Sequence, residues 1–126
     1  MRVSIKHQIG CNFDSMPLII VAGRPCTGKS TFSHRLADYL RQHFPTVADS
    51  SDTGSGLASV ELINEESLGI SKRSGYGSSL DEKNTRSALK AVATNKLTAA
   101  RFVIVDSLNY IKGYRYELYC CARSLR

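Results

Sequence analysis

The sequence predicts an α/β fold in which helices cover both faces of a parallel sheet. Two apolar runs, Leu18–Ala22 and Phe102–Val105, have the continuous hydrophobic character of strands buried on both sides. Segments with helical periodicity alternate with the strands, and this order requires crossover connections between parallel strands. At 126 residues the chain fits one domain with a substantial core.

The first predicted strand, Leu18–Ala22, is followed by a glycine-rich turn and then by a helix. Apolar side chains recur at helical spacing from Phe32 to Leu40, and Pro45 ends the pattern. From Pro45 to Ser59 the composition changes to Asp, Ser, Thr and Gly, which is typical of a polar loop.

The next strand and helix are predicted from the middle of the chain. Val60–Ile63 has the apolar character of a short strand. Ser79 precedes Glu82 by three residues, the spacing of a capping box, and an apolar stripe then predicts a helix from about Leu80 to Leu97.

The last two elements complete a sheet of about three strands. Asp106 ends the strand Phe102–Val105, and Leu118, Ala122 and Leu125 at spacings of four and three indicate a final helix. We find no internal repeat.

Composition excludes several classes of protein. No apolar run approaches the roughly 18 residues that a membrane-spanning helix needs, and residues Met1–Ser15 lack the apolar core of a secretory signal. The four cysteines show no paired metal-ligand spacing, so we expect free thiols in a reducing compartment.

Positive charge is concentrated in the second half of the chain. Lys72–Arg126 contains eleven Lys or Arg against four Asp or Glu, whereas Met1–Ser71 carries a net charge of −1. The asymmetry is compatible with a polyanionic partner such as RNA. A solvated basic face is the other interpretation.

A phosphate-binding motif stands between the first strand and the first helix. Gly23–Ser30 fits G-x-x-x-x-G-K-[ST], so the expected fold is of the P-loop NTPase type. Glycines there let successive backbone N–H groups and the helix N-terminus converge on phosphates. The residues assigned to ATP binding are Gly23, Arg24, Pro25, Cys26, Thr27, Gly28, Lys29, Ser30 and Thr31.

Two oxygen-bearing side chains are candidates for Mg²⁺. The Ser30 hydroxyl follows the P-loop lysine, and Asp106 offers a carboxylate at a strand end. Alone, an acid that ends an apolar strand is commonly a turn residue, but the P-loop favours the magnesium interpretation.

Glu65 and Glu66 follow the second predicted strand, at the carboxyl edge where ligands of open α/β sheets bind. One of them can act as general base or orient a water molecule, and we assign Glu66, with Asp106, to catalysis. Two solvated surface acids are the alternative.

The segment Asp106–Cys120 is more distinctive than any general nucleotide motif. It resembles the Elongator-associated killer toxin insensitivity protein family, and Met16–Leu18, the P-loop, Glu66–Ile70 and Asp81–Lys83 resemble it too. Within this resemblance Lys29, Ser30 and Asp106 match phosphate and magnesium residues. Asn109, Lys112 and Arg115 are expected to shape the site.

The resemblance implies a P-loop ATPase related to the seryl-tRNA selenocysteine kinase, stimulated by tRNA and assisting Elongator in modifying wobble uridines. It implies a cytoplasmic and also nuclear location. Family members are about twice as long and carry a carboxyl-terminal tRNA-binding domain. Residues 16–126 are therefore expected to be a partial nucleotide-binding domain after an extension of residues 1–15, with one apolar edge of Leu18–Ala22 left open.

Two other functions stay open on the sequence. The P-loop and the paired acids would equally suit a small-molecule or nucleoside kinase. A non-catalytic fragment that binds Elongator or nucleotide without turnover is the second alternative.

Overall fold

The computed structural model describes residues 2–5, 17–44, 59–98 and 101–125. Its elements follow in the order β1 (Arg2–Ile5), β2 (Leu18–Ala22), α1 (Lys29–His43), β3 (Ser59–Ile63), a 3₁₀ helix (Glu66–Leu68), α2 (Lys72–Gly75), α3 (Ser79–Lys96), β4 (Arg101–Asp106) and α4 (Lys112–Ser124). The predicted polar loop after Pro45 lies outside the described residues.

The sheet has the strand order β1-β2-β4-β3. β4 runs parallel to both of its neighbours, β2 and β3, so the predicted sheet of three parallel strands is confirmed. Because parallel strands end at the same edge, the chain segments that follow β2, β3 and β4 all leave the sheet on one side.

The fourth strand, β1, was not predicted. It pairs antiparallel with β2, from Arg2 opposite Ala22 to Ile5 opposite Ile19. The expectation of an open β2 edge is therefore wrong, since backbone groups of β1 occupy that edge. Four residues within a segment of mixed polarity carry too weak a pattern to reveal a strand in sequence.

Side chains of β2 alternate between two separate cores, as the pleat of a strand requires. Ile19 and Val21 face α1, whereas Ile20 faces α3 and α4. The α1 core consists of Ile19, Val21, Ala37, Leu40 and Ile104. The opposite core consists of Ile20, Ile63, Leu89, Ala93, Leu97, Val103, Val105, Tyr114 and Leu118.

The predicted helices are present with small differences at their ends. α1 ends at His43, just before Pro45, and Leu118 of α4 is buried as its spacing indicates. Leu125 instead lies beyond the last turn of α4 and is 39% exposed. The four-residue α2 and the 3₁₀ helix were not predicted, because they are too short to show periodicity.

The start of α3 differs from the predicted capping box. The N-cap is Ser78 rather than Ser79, and its hydroxyl accepts a hydrogen bond from the Asp81 backbone N–H at 3.2 Å. The same hydroxyl donates to Asp81 Oδ2 at 2.7 Å. The pair at the helix start is thus Ser78 and Asp81, one residue earlier than the predicted pair of Ser79 and Glu82.

Ser78→Ala is expected to lower the free energy of unfolding by about 1 kcal/mol, the usual contribution of an N-cap hydroxyl. Ser79→Ala is the matched control, since Ser79 is exposed in the first turn and its removal should change stability by less than about 0.5 kcal/mol. Urea denaturation of the two variants measures the difference. The reverse ranking would restore Ser79 as the cap.

None of the helices in the described residues is long and apolar enough to cross a membrane.

Candidate functional site

The loop between β2 and α1 has the backbone form that a phosphate cradle requires. Gly28 adopts a left-handed conformation with φ 80°, and its carbonyl accepts the Phe32 N–H at 2.9 Å. Cys26 also has a positive φ, 59°, so the chain turns sharply twice before α1 begins. Thr27 Oγ1 donates to the Arg24 carbonyl at 2.8 Å and closes the loop on itself.

Gly23 opens this loop at a close approach. A Cβ atom added there would lie 3.3 Å from Thr27 Oγ1 and 3.5 Å from Lys29 Cδ. A larger residue would therefore push against the loop and against the Lys29 side chain, which explains in physical terms why the motif begins with glycine.

The Lys29 amine lies inside the loop. Lys29 is only 9% exposed, and its Nζ donates a hydrogen bond of 2.6 Å to the Arg24 carbonyl. Around it, α1 begins without a side-chain cap and without an acidic residue in its first turn. Free backbone N–H groups and a nearby ammonium, with no carboxylate in the first turn of the helix, make this helix end suited to anionic oxygen.

Asp106 ends β4 beside the loop. It pairs in register with Val21 of β2 and is 3% exposed. Its Oδ2 is buried without a hydrogen-bond partner in the described part of the chain. Because a buried carboxylate oxygen is costly when it has no partner, Asp106 has the character of a group that awaits a cation or its water shell.

Oxygen donors at this point fit Mg²⁺. The ion prefers carboxylate, hydroxyl and water ligands, and Asp106 and Ser30 supply the first two. Among the described residues no group of three or more His, Cys, Asp or Glu could hold a metal by itself. A magnesium ion here would therefore rely on phosphate and water oxygens for most of its coordination.

The two acids after β3 point in different directions. Asn64 and Ser67 cap each other, with Ser67 N–H donating to Asn64 Oδ1 at 2.7 Å and Asn64 N–H to Ser67 Oγ at 3.1 Å. The turn that results leaves Glu66 exposed and buries Glu65 to 5% exposure. The acid inside the site is thus Glu65, and Glu66, assigned to catalysis on sequence, lies outside it.

These groups line one cleft of about 450 Å³. The residues around it are Pro25, Cys26, Thr27, Gly28, Lys29, Ser30, Thr31, Glu65, Tyr76, Asp106, Ser107 and Leu108. Seven of the nine residues assigned to nucleotide binding line this cleft, and Gly23 and Arg24 do not. The Arg24 carbonyl instead accepts hydrogen bonds from Thr27 and Lys29 within the loop. The cleft lies at the carboxyl edge of the parallel strands, as the fold class predicts.

Two polar residues of the cleft, Tyr76 and Ser107, were missed in sequence, as was the apolar Leu108. Ser107 Oγ donates to Glu65 Oε1 at 2.7 Å, and the Tyr76 hydroxyl donates to the same oxygen. Burial raises the pKa of Tyr76 well above its ordinary value, with the Glu65 hydrogen bond as the next cause, so the phenol keeps its proton. Ser107 had the signal of following a strand-end acid, whereas Tyr76 had none.

Asn109 fastens the strand ends that carry the site. Its Nδ2 donates to the carbonyls of Val21, at 2.8 Å, and Val105, at 3.1 Å, and so bridges β2 and β4. Arg115 donates to the Asn109 carbonyl at 2.7 Å and helps to hold the residue at φ 45°. Lys112 is exposed at the start of α4. Asn109 and Arg115 thus contact the frame of the site, and Lys112 does not.

Comparisons with known proteins all match this chain to one family. The model of a family described as "Chromatin associated protein KTI12" matches residues 16–126. "Protein KTI12 homolog" of Danio rerio is 45% identical over 105 residues, which are 83% of this chain and 34% of that protein. "Protein KTI12" of Saccharomyces cerevisiae is 39% identical over 110 residues, 87% of this chain and 33% of the yeast protein.

A solved structure shares the fold. The crystal structure of Chaetomium thermophilum Kti12 in complex with ADP-AlF3 has a TM-score of 0.67 and 36% identity to this chain, covering 86% of it and 54% of the fungal chain. Compared with the Danio and Saccharomyces relatives, the present chain spans about a third of their length. β1 lies before the segment that the family model matches.

Proposed function

From the premise that this chain belongs to the KTI12 family, we propose that it binds Mg·ATP in the cleft between the P-loop and Asp106. The observation that carries the proposal is that a lysine held inside a phosphate loop lies in the same cleft as a buried carboxylate oxygen at the end of the adjacent strand, and that this oxygen has no hydrogen-bond partner in the described ranges of the chain. The ADP-AlF3 complex of the Chaetomium protein supports the same choice of ligand.

In this proposal, the residues that line the cleft fall into three groups, which bind the phosphates, the magnesium ion and the attacking water. The N–H groups of Thr27–Ser30 and the start of α1 bind the phosphates, and Lys29 exchanges its Arg24 carbonyl for phosphate oxygen. Ser30 and Asp106 hold Mg²⁺, which supplies charge neutralisation on the phosphates. Glu65, on the opposite wall, orients the water that attacks the terminal phosphate.

The wider role that we propose is that of an ATP-binding accessory factor of Elongator in tRNA wobble-uridine modification. The family resemblance supports this role, and the family's description as chromatin-associated supports a nuclear location. The basic segment from Lys72 onward is compatible with a secondary contact to tRNA.

The test of Mg·ATP binding is a titration of a fluorescent ATP analogue with and without Mg²⁺. In Mg²⁺, Asp106→Asn should bind the analogue on the order of tenfold more weakly than wild type, because the charged magnesium ligand is gone. In EDTA the two proteins should bind alike. Asp106→Asn should be at least as stable as wild type, since it removes the charge of a buried carboxylate whose Oδ2 has no hydrogen-bond partner among the described residues.

Asp38→Asn is the matched control for the magnesium titration. Asp38 forms an exposed pair with Arg41 at 3.0 Å on α1, away from the cleft. Its removal should leave Mg²⁺-dependent binding unchanged. Equal Mg²⁺ dependence in wild type and Asp106→Asn would show that Asp106 holds no ion.

A further inference from the structure

The Glu65 carboxylate is held by two hydroxyl groups that come from distant parts of the chain. Tyr76 and Ser107 both donate to Oε1, and their own oxygens lie 3.2 Å apart. Each hydroxyl has a single proton. With both protons directed to Oε1, the two donors bind the same carboxylate oxygen and limit the rotation of the group.

Tyr76 is itself held firmly in place. The preceding residue, Gly75, packs so closely that an added Cβ would lie 2.8 Å from Ile70 Cγ2. Thr85 of α3 donates to the Gly75 carbonyl at 3.0 Å and is 3% exposed. α2 is thereby fastened to α3, which fixes the point from which the Tyr76 ring reaches over the cleft.

Ser107 is held from the other side of the site. It follows Asp106 directly at the end of β4 and is 5% exposed. Two residues later, Asn109 ties this strand end to β2. A single carboxylate is therefore oriented by two rigid supports, the end of β4 and the α2–α3 junction, a degree of control that a solvated surface acid does not need.

We propose that Tyr76 and Ser107 are positioning residues that hold Glu65 in the orientation required to activate the attacking water in phosphate transfer. This inference rests on the proposed binding of Mg·ATP in the same cleft. In the reaction, the water oxygen forms a bond to the γ-phosphorus and the bond from that phosphorus to the bridging oxygen breaks. Its electron pair stays with ADP, and the water proton leaves toward Glu65.

The experiment separates binding of the ground state from binding of a transition-state mimic. Affinity for a fluorescent ATP analogue reports the P-loop, and the extra tightening of Mg·ADP by aluminium fluoride reports the site that orients the attacking water. Tyr76→Phe and Ser107→Ala should keep the analogue affinity of wild type. In each variant, the gain in Mg·ADP affinity that aluminium fluoride causes should be about tenfold smaller than in wild type. This is the effect expected from the loss of one hydrogen bond to a charged group.

A double-variant comparison identifies the route of the effect. Glu65→Gln should also lose the tightening, and adding Tyr76→Phe to Glu65→Gln should cause no further loss, because the tyrosine acts through the carboxylate. Ser107→Thr keeps a hydroxyl at the position and should retain most of the tightening. Thermal unfolding of every variant shows that the proteins compared are folded.

Tyr110→Phe is the matched control, because the Tyr110 hydroxyl also binds a glutamate, Glu82, at 2.6 Å but lies outside the cleft. The proposal is overturned if Tyr76→Phe behaves like Tyr110→Phe, if its loss adds fully to that of Glu65→Gln, or if wild type shows no tightening by aluminium fluoride. If wild type binds the ATP analogue no better than Lys29→Ala, the proposed function itself fails.

Discussion

Lys29→Ala is expected to weaken binding of Mg·ATP by about 100-fold, which corresponds to about 2.7 kcal/mol. The Lys29 amine is buried within the phosphate loop, where its charge is poorly screened by water. Alanine removes the ammonium that would contact the terminal phosphates, and no other side chain of the described cleft wall is cationic. Fluorescence titration with an ATP analogue measures the loss on protein shown by circular dichroism to be folded.

Lys90→Ala is the control for this substitution. Lys90 is partly exposed on α3 and pairs with Glu117 of α4 at 2.8 Å, so it carries the same charge as Lys29 but lies outside the cleft. Its removal should leave nucleotide binding unchanged, and loss of an exposed ion pair should alter stability little. If Lys29→Ala and Lys90→Ala weaken binding equally, the effect comes from net charge and the P-loop assignment is wrong.

Leu89→Ala is expected to lower the free energy of unfolding by about 3 kcal/mol. Leu89 is fully buried between α3 and the sheet, in the same core as Val103, Tyr114 and Leu118. The truncation removes buried methyl groups and leaves a cavity that packed neighbours cannot fill. Because small domains are stable by only about 5–15 kcal/mol, the loss should shift the urea midpoint strongly.

Leu80→Ala on the same helix distinguishes packing from helix propensity. Leu80 is 66% exposed, so the identical chemical change should alter stability by less than about 0.5 kcal/mol. Urea denaturation of both variants, with the slope of the transition compared, gives the two values. Equal losses would mean that Leu89 is not the packing residue the fold requires.

Helix α3 shows which structural features a local sequence pattern can predict and which it cannot. The apolar stripe that includes Leu89 was visible in sequence, because a helix must bury one face and burial needs apolar side chains at a fixed period. The cap was placed one residue too late, since Ser78, Ser79, Asp81 and Glu82 offer two equivalent pairs at the same spacing. Only the direction of the incoming chain decides which serine lies at the helix end.

Which of Glu65 and Glu66 enters the cleft also depends on the direction of the chain rather than on a local sequence pattern. Both acids follow β3, and neighbouring residues in a turn can face opposite ways. The mutual cap of Asn64 and Ser67 sets the turn, and partners 11 and 42 residues away, Tyr76 and Ser107, then receive the Glu65 carboxylate. Contacts over such separations leave no periodic signal in a single sequence.

The parallel α/β class, the P-loop, the strand-end position of Asp106 and the family could all be predicted from the amino-acid sequence. Those features are written in short contiguous patterns, because phosphate binding and strand burial each demand particular residues at neighbouring positions. The tertiary structure alone decided that β1 closes the edge of β2, that Glu65 enters the cleft and that Asn109 joins the strand ends. These outcomes depend on pairing between segments far apart in the chain, where geometry rather than residue type selects the partner.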